Sequence, residues 1–421
     1  MSINDFRDIP LLVRIPPNSI AYYSFFDRAL GEYRYVFFDS DKLLICYQLL
    51  RFRYFDFETM ENISFIIHGT NLRRWFKSII GTSYFPISST RPMKDKRINI
   101  LFFNKKFTSW LIETIESFEE FHVLFKITEG KNSIHSFKAL GYTGGEPSRV
   151  NEHDYTLRKL ISRIIRELGR SKSFVPEDRK NIQVSFPVVR NNMYVVPDAT
   201  IFLGSNSYHL EFDNNTEPHS RILSKLLRYS EDRGYHNSVL FFVFNTRNRV
   251  RNNVLSKRIS TFLNYTESVK HENGETIFDV LNKNGIHVIG LPLSNAGQQV
   301  SKNIINFELG IEKPGITVSD LSGGMGLIEN MLSIHPVVEE GIDYFLEYED
   351  ELFSISVLPL VYVRYGFVGE ENRVRTIIEN LSSTYTEIGI LLDGSITDQH
   401  HQFSYSDLQT RLIFLHTKVV D

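Results

Sequence analysis

Between residues 41 and 80, apolar side chains recur every three or four positions in three successive blocks. The first, Asp41-Lys-Leu-Leu-Ile-Cys-Tyr-Gln-Leu-Leu50, reads as a helix behind an Asp41 N-cap, where a short carboxylate accepts an otherwise orphaned backbone N–H. Asp56 is expected to cap a second helix running through Glu58, Ile63 and Ile66, with Gly69-Thr70 ending it. In the third block, Leu72, Trp75, Phe76 and Ile79 fall at i, i+3, i+4 and i+7, which predicts a core-facing stripe. Two strand-like runs follow within Ser83–Phe103, around a turn-rich stretch at 88–97. Further on, Asp154–Leu168 has helical spacing, with Arg158, Lys159, Arg163 and Arg166 on the side away from its apolar stripe. Strands are predicted at Ile182–Val189, Tyr194–Leu203 and Ser207–Phe212, a helix over about 218–233, and an apolar strand at Val239–Phe244. That order, α-β-β-β-α-β, suits a mixed sheet with flanking helices.

The fold class expected is therefore α+β or mixed α/β with several domains, since 421 residues exceed one compact core. A lead-in over 1–40 carries Pro10, Pro16, Pro17 and a short strand at Tyr33–Phe38. Residues 41–140 form one expected domain, 150–314 a second and 315–421 a third of unknown role, with Gly141–Pro147 as linker.

Charge changes this picture. The whole chain is near neutral, at −3, which argues against a histone-like tail. Between Asn71 and Lys106, however, nine cations (Arg73, Arg74, Lys77, Arg91, Lys94, Lys96, Arg97, Lys105 and Lys106) face one acid, Asp95, a local net of +8. Arg73, Arg74 and Lys77 lie opposite the apolar stripe of the third helix, and Arg91, Lys94, Lys96 and Arg97 fall in the hairpin turn. Three helices followed by a hairpin, with the last helix and the hairpin basic together, read as a winged helix-turn-helix that grips duplex phosphates. The plain alternative is a solvated basic surface.

Chemistry is concentrated where the central strands end. Asp198 lies on the second predicted strand, and Glu211 and Asp213 close the third, two apart and so on one face. Such hard oxygen ligands suit Mg²⁺, which can activate water and offset charge on a phosphodiester. Asp198 followed by Glu211-x-Asp213 resembles the PD-(D/E)XK nuclease superfamily, with Asp213 where a Lys is usual. More closely, Val196-Pro-Asp-Ala-Thr200, Leu210-Glu-Phe-Asp-Asn-Asn-Thr-Glu217, Lys225-Leu-Leu-Arg-Tyr229 and Glu152-His-Asp-Tyr155 resemble the replication-relaxation family of plasmid and mobile-element proteins, over roughly residues 40–250.

The resemblance implies a winged helix ahead of a nuclease-like core. Asp198 and Glu211 would be metal ligands for Mg²⁺ or Mn²⁺, Asp213 would fill the third motif position, and Lys225 would stand in for the missing Lys with Tyr229 one turn on. Whether that core cuts DNA stays open, because the usual Lys is absent; the alternative is a transcriptional or copy-number regulator whose core binds or assembles. Turns and helix caps are the bland account of the same carboxylates.

Other signals are weaker. One cysteine, Cys46, excludes a disulfide framework and fits a reducing cytoplasm. No run approaches the roughly 18–20 apolar residues of a membrane span. Gly323–Gly326 reads as a turn, His400-His401 beside Asp398 as a polar loop, and Arg247, Arg249 and Arg251 as a basic turn or an extension of a DNA-facing surface. Seven acids and no cation between Glu339 and Glu351 make a solvated face or a site for a basic protein partner. Double-stranded DNA is the expected partner; helix-turn-helix proteins often pair on palindromes, which leaves a homodimer open, but no residue pattern names a dimer interface.

Overall fold

The computed structural model describes residues 15–27, 30–69, 74–76, 87–89, 100–118, 145, 147, 150–175, 179–186, 195–203, 206–214, 217–245, 252–270, 274–310, 316–320, 331–337, 341–349, 354–393 and 410–419. Helices and sheets are interspersed, in a mixed α+β architecture. The chain divides into two compact units, Met1–Asn214 with Leu293–Lys302, and Asn215–Pro292 with Asn303–Asp421.

The first unit opens with an antiparallel hairpin, β1 (Ile20–Asp27) and β2 (Glu32–Asp39). Helix α1 (Ser40–Arg51) follows directly, and its cap is Asp39 rather than Asp41: the Asp39 carboxylate accepts the Lys42 N–H at 2.9 Å. Asp39 ends a strand in extended backbone, the conformation a cap needs, whereas Asp41 already lies in the first turn and faces the positive end of the helix dipole. Helix α2 (Phe57–His68) begins as expected, with Asp56 accepting from Thr59 N, and ends at Gly69, whose φ of 72° is open to glycine at little cost. Residues 74–76 are helical, with Arg74 exposed and Phe76 buried. Strand β3 (Ile87–Ser89) pairs antiparallel with β4 (Leu101–Phe103), and α3 (Lys105–Glu116) starts at an Asn104 cap. Phe38 meets Trp75 edge-on and Phe107 and Trp110 tilted, and Phe107 stacks on Trp110, all at 5.1–5.5 Å, in the core beneath the hairpin.

Helix α4 (Glu152–Arg170) packs along α2, so closely at Gly169 that a Cβ there would come within 2.5 Å of Ile66. This packing places the two segments expected on either side of 141–147 in one unit. It also alters the reading of the basic side of α4. Arg158 is buried, its guanidinium 4.8 Å from the Tyr54 ring and 4.3 Å from Phe186, while Lys159 and Arg163 pair with Glu58 of α2 at 2.8 and 2.7 Å. Of these cations Arg158 is withdrawn from solvent, while Arg163 stays exposed beside its carboxylate partner. Strands β5 (Ile182–Ser185), β6 (Ala199–Leu203) and β7 (Asn206–Asp213) then form an antiparallel meander, tied to α1 by Gln48 and Arg51, which donate to the carbonyls of Ile182 and Val184. Strand β6 starts later than its pattern predicts, because Pro197 has no N–H to give a ladder, and Asp198 sits just ahead of the strand.

In the second unit, α5 (His219–Glu231) precedes β8 (Val239–Phe244), every residue of which is buried as its apolar run predicts. Helices α6 (Asn252–Ser268) and α7 (Ile277–Lys283) lead to β9 (His287–Pro292), parallel to β8; α8 (Leu293–Leu309) begins where β9 ends, and its residues up to Lys302 belong to the first unit. Six further strands, β10 (Ile316–Asp320), β11 (Met331–Pro336), β12 (Tyr344–Glu349), β13 (Ile355–Tyr362), β14 (Glu387–Asp393) and β15 (Arg411–Val419), form one sheet in the order β10-β15-β14-β13-β12-β11. The centre, β13-β14-β15, is parallel, and α9 (Glu370–Leu381) makes the crossover from β13 to β14. Val374 and Ile378 of α9 pack on Val361, Ile388, Ile390 and Leu392. Among the described residues no helix is long and apolar enough to cross a membrane.

Candidate functional site

Strand β7 is buried on both faces from Tyr208 to Asp213, yet only one face is apolar. Tyr208, Leu210 and Phe212 alternate with His209, Glu211 and Asp213, so one whole face of a core strand is polar. Burying such groups is costly unless each is bonded or paired. On β6, Thr200 lies opposite His209 in register, and the same register carried one step further sets Asp198 against Glu211. Register thus sets Asp198 alongside Glu211, alternation puts Asp213 on the face of Glu211, and all three are below a tenth exposed.

The details differ from a bare carboxylate cluster. Asp198 Oδ2 accepts the Phe212 N–H at 2.9 Å, closing the end of the meander. His153, on the first turn of α4, reaches the same place: its Nε2 lies 2.8 Å from the Phe212 carbonyl oxygen and 3.8 Å from Asp198 Oδ2. A carbonyl only accepts, so Nε2 carries the hydrogen. His153 Nδ1 lies 3.3 Å from Asp154 Oδ1. Burial works against the charged ring, but the bond to Asp154 and the charge of Asp198 outweigh it and hold the His153 pKa above its ordinary value. The same His153 contact, with help from Arg158, holds the Asp154 carboxyl below its usual range. His209 behaves oppositely: burial pushes it down to about 4, so it is neutral and shares hydrogen bonds with Thr200 at 3.0 Å and Ser207 at 3.3 Å.

The histidine beside Asp198 is His153, which the sequence placed only in a family-like lead-in. Its signal was weak because a helix start and a strand end far apart in the chain have to be brought together first. Replacing Asp198 by Asn keeps an acceptor for Phe212 N–H but removes the charge, and is expected to lower the His153 pKa, measured by NMR titration of its ring protons. An unchanged titration would show that the two groups do not interact. Because the folded pKa is raised, His153 stabilises the fold fully below the ordinary histidine value, and that contribution is lost as pH rises through the folded pKa.

Lys225 and Tyr229 lie on α5 of the second unit. Lys225 Nζ pairs with Glu217 at 3.1 Å, and Tyr229 is fully buried, its ring edge-on to Tyr235 at 4.7 Å. Tyr229 follows Ile222 and Leu226 on the buried stripe of the helix, so packing accounts for it. Among the described residues no group of three or more His, Cys, Asp and Glu side chains stands close enough to hold a metal ion. Asp198 Oδ2 is already engaged by Phe212 N–H, with His153 at 3.8 Å, and no chemical step through Mg²⁺ or Mn²⁺ follows from these residues.

Of the basic segment, Arg74 is exposed on its helical turn; Arg73, Lys77, Arg91, Lys94, Lys96 and Arg97 lie outside the described residues. So do 247–251, 323–326 and 398–401. A separate cleft of about 250 Å³ in the second unit is lined by Phe278, Asn282, His287, Arg364, Phe367 and Arg373, among others. Both its guanidinium groups are bonded to Glu370, and Arg373 pairs with Asp343 as well, so two carboxylates offset its two cations. No protein-family model, curated protein or solved structure matches the chain.

Proposed function

We propose that this chain is a duplex-DNA-binding protein of the plasmid or mobile-element replication type, with a winged helix-turn-helix and a nuclease-like core that binds or assembles without cutting. The observation that carries the reading is the concentration of nine cations against one acid between Asn71 and Lys106 in a near-neutral chain. It is supported by the helix order ahead of it and by residues 74–76, which turn Arg74 outward and Phe76 inward. Arg73, Arg74, Lys77 and the basic turn Arg91–Arg97 contact phosphates, and each such pairing displaces condensed counterions.

Replacing Arg73, Arg74 and Lys77 together by Ala is expected to weaken duplex binding and to flatten the log–log salt dependence by about 0.9 for each phosphate that is no longer neutralised, read by fluorescence anisotropy across a salt series. Equal affinity at low salt would remove this helix from the interface.

A second reading, metal-dependent nicking, is favoured by the polar face of β7, where Glu211 and Asp213 are buried on one side of the strand and Asp198 falls in register with Glu211. Incubation of supercoiled plasmid with Mg²⁺ or Mn²⁺ decides between them. No nicking by either wild type or Asp198→Ala is the result expected for the binding core; metal-dependent nicking lost in Asp198→Ala would install the enzyme.

A further inference from the structure

The β1–β2 hairpin has two unlike faces. Inward, Tyr23, Phe25 and Phe38 are buried, with Tyr23 5.2 Å from both Phe107 and Trp110. Outward, the register sets Tyr22 opposite Phe37, Ser24 opposite Tyr35 and Phe26 opposite Tyr33, with Ile20 beyond them. These rings are 40–68% exposed and touch one another, Tyr22 with Phe37 at 5.6 Å and Phe26 with Tyr33 at 5.3 Å. At about 200 Å² per aromatic side chain, the five rings leave on the order of 500 Å² in the open. Ile20, 56% exposed, extends the patch. That is the size of the largest patch on a typical monomer, about 300–600 Å², a kind of patch that is often functional; it supplies the apolar centre of an interface, and the remainder of the roughly 800 Å² a stable partner covers would come from around it.

We infer that this aromatic face is where a second copy of the chain docks, face to face, in a two-fold dimer. Charge selects the partner. Of the eight outward positions, Ile20, Tyr22, Ser24, Phe26, Tyr33, Tyr35 and Phe37 are uncharged, and the eighth, Asp39 opposite Ile20, caps α1 and pairs with Lys42. A single-stranded nucleic acid needs cations interleaved with its stacking rings; the nearby Lys42, 5.1 Å from the Phe37 ring, is already paired with Asp39 at 2.5 Å. A neutral, tyrosine-rich surface is instead complementary to itself, because each ring and hydroxyl can meet its own counterpart across a two-fold axis. The hairpin is a two-stranded sheet whose inner face is covered by the core of its own unit at Tyr23, Phe25 and Phe38, so the aromatic outer face is the apolar side left for a partner. The inference does not depend on duplex binding.

Sedimentation velocity of the full chain over a range of concentration tests it. Wild type should populate a dimer. Tyr35→Glu, central and 68% exposed, should weaken self-association about thirtyfold, as expected for one central aromatic anchor. Its circular dichroism and Tm should be unchanged, which separates lost docking from lost folding. Ser24→Cys supplies a second readout: Cys46 is the sole cysteine and is buried, so a short bismaleimide should link two copies through position 24. A wild type that stays monomeric, a dimer indifferent to Tyr35→Glu, or no cross-link would each overturn the assignment. So would a monomer that loses single-stranded DNA binding in Tyr35→Glu, in favour of base stacking.

Discussion

Glu370→Ala is expected to cost about 3 kcal/mol of stability, near the lower end of what breaking a buried ion pair does. The carboxylate is 4% exposed at the start of α9 and accepts four bonds of 2.7–3.0 Å: the Arg364 backbone N–H and Nε, and Arg373 Nε and Nη2. Arg373 also donates to the Tyr362 carbonyl and pairs with Asp343 at 3.5 Å, and Asp343 accepts from Tyr362 N. One side chain thus joins the end of β13, the crossover helix and the turn before β12. Removing it leaves two guanidinium groups with no carboxylate between them. The loss stays near the lower end because Arg364, 38% exposed, can turn to water. Urea unfolding at neutral pH measures it, and a difference from wild type within error would mean the network holds nothing together. Burial raises the Glu370 pKa, but Arg364 and Arg373 outweigh it, so the folded value lies below 4.5. The contribution is therefore full above that value and is lost as pH falls through the folded pKa. The gap between wild type and Glu370→Gln should narrow in that acidic window.

Gly366→Ala should be about as damaging, roughly 3 kcal/mol, for a different reason. Gly366 has φ of 78°, and a Cβ there would drive into the Gly290 carbonyl oxygen. The backbone approaches this closely because 366–368 adds to the open side of β9: Gly290 N donates to Gly366 O at 2.8 Å and Val368 N to Val288 O at 3.1 Å. Left-handed backbone alone costs an alanine about 1–2 kcal/mol, and the displaced ladder adds the loss of buried hydrogen bonds, about 1 kcal/mol each. Gly310→Ala separates the two effects. Its φ is 61°, but nothing lies within 4 Å of a Cβ there, so only the backbone part should appear. Faster amide exchange at Gly290 and Val368 in Gly366→Ala alone would locate the damage; equal losses in both variants would refute the clash.

What the sequence made legible was local. Asp56 and Gly69 bound α2 as their side chains and φ preference dictate, and the Val239–Phe244 run is a fully buried strand. The end of the meander was legible too, since alternation alone puts Glu211 and Asp213 on one face. Where a second element decides, the pattern misled or was silent. Asp39 caps α1 because a strand delivers it in extended backbone, which the Asp41 spacing does not register. Arg158 looked solvated on a helical wheel, yet Tyr54 and Phe186 close over it. His153 meets Asp198, and Arg364 meets Glu370, only after the fold has formed. The strands after residue 315 mix charged and apolar residues, so neither period stands out.

The covering of β9 by 366–368 has a practical consequence for dividing the chain. A fragment stopping near 314 would leave the Val288 carbonyl and the Gly290 amide without their ladder partners, on a strand otherwise buried. Such a bare edge invites pairing with any extended chain nearby. Cut at 315, the protein would give an N-terminal piece prone to aggregate and a C-terminal piece missing the strand it braces. The last hundred residues are better treated as a brace on the 239–292 region than as a removable appendage.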